Sequence, residues 1–176
     1  MGVVLIVLMI FAAVIVVVVA NSQKTAAPSS SRNTNTSSTA YSPPKACDIL
    51  SLAVAQKVAP GVVATDAQTS DVSSDSITVS SCNYYDMTNK VSVGLLVRGA
   101  KDNAGAQSNK TQFDTLPSGA QSVSGYGDMA YWEPTLGQFN ILKNHNWYIL
   151  NSGPAVPASR TLEAAKKFAD AIIKTL

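Results

Sequence analysis

The fold turns on ITVSSCNYY (Ile77 to Tyr85) and VSVGLLVR (Val91 to Arg98), two runs rich in β-branched and aromatic residues, separated by Asp86, Thr88, Asn89 and Lys90. Such side chains fit a pleated, half-buried surface and the polar residues between them suit a reversal, so the pair predicts an antiparallel hairpin. In the second run Val91, Val93, Leu95 and Val97 alternate with Ser92, Gly94, Leu96 and Arg98. With a side-chain period of two, one face of that strand packs on a core.

Working outward, Asp48 precedes ILSLAVAQKVA, and Pro60-Gly61 closes the run. An acidic cap before an apolar stretch predicts a largely buried helix. Residues 62–75 (VVATDAQTSDVSSD) are polar and turn-rich and read as a loop. Downstream, residues 102–114 read as a short helix, followed by a turn at Leu116-Pro117-Ser118-Gly119. Met129 to Glu133, Gln138 to Leu142 and Trp147 to Asn151 read as three further strands. The last two are joined by Asn144-His145, residue types that tolerate positive φ in a tight turn. A final helix, capped by Ser159, places Leu162, Ala165, Phe168, Ala169, Ile172, Ile173 and Leu176 on one face. The order predicts an α+β domain over residues 45–176, with an antiparallel sheet of about five strands packed against helices.

Two segments precede that domain. Val3 to Ala20 is continuously apolar. As a helix it would reach about 27 Å, close to a hydrocarbon core of about 30 Å, and so residues 1–20 read as a transmembrane anchor. A cleaved signal peptide is the rival, because Val18 and Ala20 occupy small-residue positions before Asn21. The length of the apolar run and the lack of a preceding basic residue favour an uncleaved anchor. Residues 21–44, mostly Ser, Thr, Asn, Ala and Pro, cannot bury enough apolar surface to offset ordering and read as a disordered linker. Asn35-Thr36-Ser37 and Asn109-Lys110-Thr111 are formal glycosylation sequons.

Charge and cysteines bound the function. Of thirteen basic residues, Lys24 and Arg32 lie in the linker, which leaves eleven against eleven acidic residues in the domain. That balance argues against a nucleic-acid partner, which needs clustered Lys and Arg to displace counterions from phosphates. Cys47 and Cys82 are the two cysteines. With no CxxC spacing and no His cluster, neither a metal site nor a redox motif is expected, and a disulfide in an oxidising compartment is the expectation. Lys24, Arg32 and Lys45 flank the anchor on its C-terminal side, which taken alone would place the domain in the cytoplasm. The cysteine pair and the linker chemistry point the other way, to an extracytoplasmic domain.

No catalytic constellation stands out, and no cofactor is implied. His145, the single histidine, falls in a predicted turn without a nucleophile beside it. Gly125-Tyr126-Gly127-Asp128 enters a predicted strand rather than opening a helix and lacks a Walker lysine, so it reads as a turn. Asp128 and Glu133, five residues apart, point to opposite faces of a strand, which argues against their serving as a glycosidase pair. The aromatic residues offer more. In Tyr84-Tyr85, Tyr131-Trp132 and Trp147-Tyr148, alternation sends one ring inward and one outward, and an outward stripe of Tyr85, Tyr126, Trp132 and Tyr148 would suit a sugar or peptide ligand.

Cys47-Asp48-Ile49-Leu50 opening a helix, Cys82-Asn83-Tyr84 in a strand, the run from Gly125 to Trp132 (GYGDMAYW), and the Ala-rich C-terminal helix together resemble a family. It is that of the uncharacterised small surface proteins and lipoproteins of actinobacteria and related Gram-positive-type bacteria. The resemblance covers residues 46–176 and implies a cell-envelope location and a paired-cysteine α+β domain. Many such proteins carry an acylated cysteine after the signal segment. This chain departs from that pattern, in keeping with a helical anchor. No activity and no site residues follow from it. The reading is therefore a membrane-anchored, extracytoplasmic, non-catalytic module that binds a wall polymer, a peptide or a membrane-protein partner. The alternatives are an accessory subunit of a membrane complex, gripped through its hydrophobic helix, and an enzyme of unrecognised type.

Overall fold

The computed structural model describes residues 39–173. The anchor expected over Val3 to Ala20, most of the linker, the Asn35 sequon and Leu176 lie outside them. Among the described residues no helix is long and apolar enough to cross a membrane. In chain order the elements are α1 (Ala46–Ile49), α2 (Leu52–Val58), β1 (Val63–Ser73), β2 (Ile77–Asp86), β3 (Val91–Ala100), α3 (Asn103–Asp114), β4 (Gln121–Ser122), β5 (Met129–Glu133), β6 (Gln138–Lys143), β7 (Asn146–Pro154) and α4 (Leu162–Ile172). The strands form one antiparallel sheet in the order β1-β2-β3-β7-β6-β5-β4. The class is α+β, with helices packed on an antiparallel sheet.

The β2–β3 hairpin lies between edge strand β1 and the central strand β7. β2 and β3 pair without interruption from Asp86↔Val91 to Ile77↔Ala100. Asp86 closes the reversal by accepting hydrogen bonds from the Asn89 N–H and side-chain amide. β6 and β7 meet at Lys143↔Asn146, and both turn residues, Asn144 and His145, have positive φ (51° and 70°). That is the backbone a two-residue hairpin loop needs to match strand twist.

Four expectations are corrected. Residues 62–75 are not a loop: Val63–Ser73 is an edge strand on β2, with a register shift between Val63 and Gln68. An edge strand needs backbone partners on one side only and buries little, and Val72 is 53% exposed, so the sequence carries no apolar alternation to betray it. Together with the two-residue β4, this makes seven strands rather than about five. The first helix is two short ones, because Leu50 leaves helical geometry and Ser51, not Asp48, supplies the cap, accepting from the Val54 N–H. The last helix is capped by Thr161, whose hydroxyl accepts from the Ala164 N–H at 3.2 Å, while Ser159 belongs to a preceding 3-10 turn.

The two faces of the sheet are built differently. On the first, Cys82, Val93, Leu95, Phe139, Ile141, Tyr148 and Leu150 pack against Leu50 from the α1–α2 segment and Phe168 and Ile172 from α4. The Cys47–Cys82 disulfide joins α1 to β2, and the Ala46 N–H donates to Ser80 Oγ beside it at 2.8 Å. On the second face, α3 covers one end. Phe113 packs there against Tyr131, Leu142 and Trp147. Asn109 fixes α3 in place: its amide donates to the carbonyls of Arg98 and His145, and its oxygen accepts from the Arg98 guanidinium. Asn109 is completely buried, so its sequon is closed to a glycan in the folded protein. The expected linker also ends earlier than Pro44. The Tyr41 N–H donates to Lys101 O, its hydroxyl to Asn103, and its ring stacks on His145 at 4.6 Å.

Candidate functional site

Strand register determines which side chains meet on the second face beyond α3. Asn83 of β2 pairs with Gly94 of β3, and Gly94 pairs with Asn151 of β7. Gln138 of β6 lies one step beyond the Phe139–Leu150 pair, which puts it beside Asn151, and it pairs with Glu133 of β5. One row of side chains therefore crosses five strands as Asn83, Gly94, Asn151, Gln138 and Glu133. α3 packs toward the other end, on β3, β6 and β7, and the row itself is buried.

Gly94 is required by its neighbours. A Cβ there would meet Asn83 Oδ1 at 2.2 Å and the Asn151 amide at 2.8 Å, so the two amides converge over the glycine. Asn83 is 8% exposed and Asn151 6%. Neither amide is among the buried side-chain atoms that lack a partner. At the far end of the row Glu133, 3% exposed, accepts from the Thr135 N–H through Oε1, whereas Oε2 has no partner among the described residues. Buried polar atoms are normally paired, since leaving one unpaired costs about 1 to 3 kcal/mol.

The next row along the strands toward the β2–β3 turn forms a rim. Tyr85 pairs with Ser92, and Ser92 with Gly153. Arg160 lies beside them: Nε donates to Pro154 O at 3.0 Å and Nη2 to Ser92 Oγ at 3.2 Å. Gly137 admits this side chain, because a Cβ there would stand 2.9 Å from Arg160 Cβ and Cδ and its φ of +58° suits glycine. Burial raises the Tyr85 phenol above its ordinary value, an effect partly countered by the Arg160 charge. Burial likewise lowers Arg160, which the nearby Tyr85 partly offsets. Tyr131, on the opposite side of Glu133 from the rim, is pushed up to about 12, first by burial and then by the Glu133 charge.

Of the aromatic quartet proposed from sequence, Tyr85 alone stands at this surface. The paired rings do divide between faces, but in the opposite sense: Trp132 and Tyr148 are core residues, 4% and 1% exposed. Their neighbours Tyr131 and Trp147 take the second face and are capped by Phe113. Tyr126 belongs to the first face, edge-on to Phe139 at 5.0 Å, with its hydroxyl donating to Asp170. Thus Trp132, Tyr148 and Tyr126 do not join Tyr85 in a stripe.

Cys47 and Cys82 are joined, as expected. His145 lies in the β6–β7 turn at the α3 end, away from the polar row. Gly125 and Gly127 are turn residues with φ of 89° and 59°, and Asp128 accepts from the Asn144 N–H, tying that turn to the hairpin. Among the described residues no group of three His, Cys, Asp or Glu side chains could hold a metal ion. What the row offers is neutral donors and acceptors, one carboxylate, and a phenol and guanidinium at the rim. The sequence reading missed it because its members are scattered from residue 83 to residue 151.

Fold and site together define a disulfide-bonded α+β domain with one apolar and one partly polar sheet face. No family model, curated protein or solved structure matches the chain.

Proposed function

We propose that the chain is a non-catalytic binding domain displayed outside the cytoplasm, held at a membrane by Val3 to Ala20, with the polar half of the second sheet face as its working surface. The observation that carries this reading is the row from Asn83 to Glu133, where polar side chains from four strands gather around Gly94 of a fifth. Small-molecule and polymer sites use a few convergent polar groups on a rigid floor, and strands supply a more rigid floor than loops. The disulfide supports the oxidising compartment, because structural disulfides persist outside the reducing cytosol.

Co-sedimentation of the full-length chain with isolated cell-envelope material tests the reading. Replacing Asn83 and Asn151 together by alanine should lower retention at least tenfold, while the spectrum of the folded domain is unchanged. If the double variant is retained like the parent and replacing the hydrophobic segment abolishes retention, the chain is instead an accessory subunit gripped through its anchor. A membrane-impermeant maleimide applied to intact cells tests the location. Cys47 and Cys82 should react from outside, and only after reduction.

A further inference from the structure

The turns at one end of the sheet carry side chains that no packing within the domain explains. Met87 stands in the β2–β3 turn, Val63 opens β1 beside it, Val156 follows β7, and Leu136 lies in the β5–β6 turn. Register puts all four at the same end: Val63 pairs with Tyr85, the Ala155 N–H donates to Lys90 O, and Gly137 abuts Pro157 O. They are four of the seven large apolar side chains that stand exposed among the described residues, with Met87 at 65% and Val156 at 61%. Two cations stand among them. Lys90 is exposed and in no ion pair among the described residues, and Arg160, bonded through Nε and Nη2, keeps an Nη1 that is neither bonded nor buried. The described carboxylates at this end are occupied or enclosed: Asp86 accepts from Asn89, Glu163 pairs with Lys167, and Glu133 is buried. Apolar tips and a surplus of positive charge therefore share one end of the domain.

That combination fits a bilayer better than a protein. A protein interface has a contiguous apolar core, whereas these tips sit on separate turns with Thr88, Asn89 and Thr135 between them. Each tip can enter a lipid interface singly, while the cations meet phosphodiester oxygens and the negative potential of an anionic leaflet. Chain length allows the approach. The described chain begins at the opposite end, where the Tyr41 N–H bonds Lys101 O, and a ten-residue strand such as β3 spans about 33 Å. The eighteen residues from Asn21 to Ser38 cover up to about 63 Å at full extension.

We propose that Met87, Val156, Leu136 and Val63 dip into an anionic lipid surface, with Lys90 and Arg160 on its phosphodiester headgroups, so that the domain docks on the membrane by the end opposite Tyr41. This rests on Val3 to Ala20 holding the chain at a membrane. The full-length chain is reconstituted in vesicles of phosphatidylcholine, with or without phosphatidylglycerol, whose acyl chains carry bromine to quench tryptophan on contact. Met87→Trp and Val156→Trp are compared with Val72→Trp, a comparably exposed position at the other end of β1. The first two should lose about half or more of the added emission in phosphatidylglycerol vesicles, since indole settles at the headgroup level, and the third should lose none. Lys90→Gln should lower the ratio of docked to undocked chain about fivefold, the effect of one lysine at an anionic surface. Quenching that is absent at the Met87 and Val156 sites, no greater there than at Val72, or the same without phosphatidylglycerol would each overturn the proposal. Flotation of the vesicles separates the two readings. A chain that floats unquenched keeps its anchor and loses the docking, whereas one quenched at both sites but stripped from the vesicles by about 1 M salt keeps the docking and loses the anchor.

Discussion

The two faces of one sheet differ in what their side chains are for. On the first, β-branched, aliphatic and aromatic residues from five strands meet α1, α2 and α4, and nearly every atom contributes by leaving water. On the second, α3 shields an aromatic cluster at one end, while the other end carries amides, a carboxylate and a glycine whose Cβ would collide with its neighbours. A strand such as β3 serves both: Val93, Leu95 and Val97 face the core, and Ser92 and Gly94 face the polar row. Burial on one side of the strand holds the chemistry on the other in place.

That division can be broken by measurement, beginning where the effect is largest. Phe168→Ala empties a fully buried site on the first face and should cost about 3 to 5 kcal/mol in urea unfolding. Replacing both Cys47 and Cys82 by serine opens a link across 35 residues of sequence and should cost about 3 to 4 kcal/mol, read the same way against the oxidised parent. On the second face Gly94→Ala should cost about 1 to 3 kcal/mol by overpacking, and adding Asn83→Ala should recover part of that loss. Asn83→Ala or Asn151→Ala alone should change stability by less than about 1 kcal/mol. Should these single changes rival Phe168→Ala, the polar row is a structural element and the comparison fails.

The smallest expected effect is on pH dependence. Asp102 caps α3, accepting from the Gly105 N–H and then from Ser76, and these bonds hold its carboxyl below the ordinary 3.8. Asp86 is lowered in the same direction by the Asn89 N–H and amide. A carboxyl whose folded value is depressed contributes stability that is complete above its unfolded value and is lost as pH falls through the folded one. Stability should therefore fall below about pH 4, from that same linkage. In Asp102→Asn, which keeps a capping oxygen, the urea midpoint should decline less steeply between neutral pH and acid.

Sequence and structure agree where burial imposes a pattern. Val91 to Val97 alternates because one side is core, and Leu162 to Ile172 shows a helical stripe because α4 lies on that core. β1 was illegible because an edge strand with exposed Ser70, Asp71 and Val72 obeys no burial constraint. The break between α1 and α2 was hidden by an apolar run that continues through fully buried Leu50. Alternation alone shows that Trp132 and Tyr131 face opposite ways. It does not say which face α4 covers, and it is the face of Trp132 and Tyr148 that lies in the core. The site was least legible, because Asn83, Gly94, Asn151, Gln138 and Glu133 become neighbours only through strand order and register.

The disulfide has a mechanical consequence for a domain pulled from its N-terminal end. Tension entering past Tyr41 reaches Cys47 and crosses by a covalent bond to Cys82 in β2, one strand in from the edge of the sheet. The intervening chain, with α1, α2 and edge strand β1, is a slack loop in parallel with that bond and carries no load. Beyond Cys82 the next step is into the uninterrupted β2–β3 ladder, so the weakest edge of the sheet is removed from the path of the force.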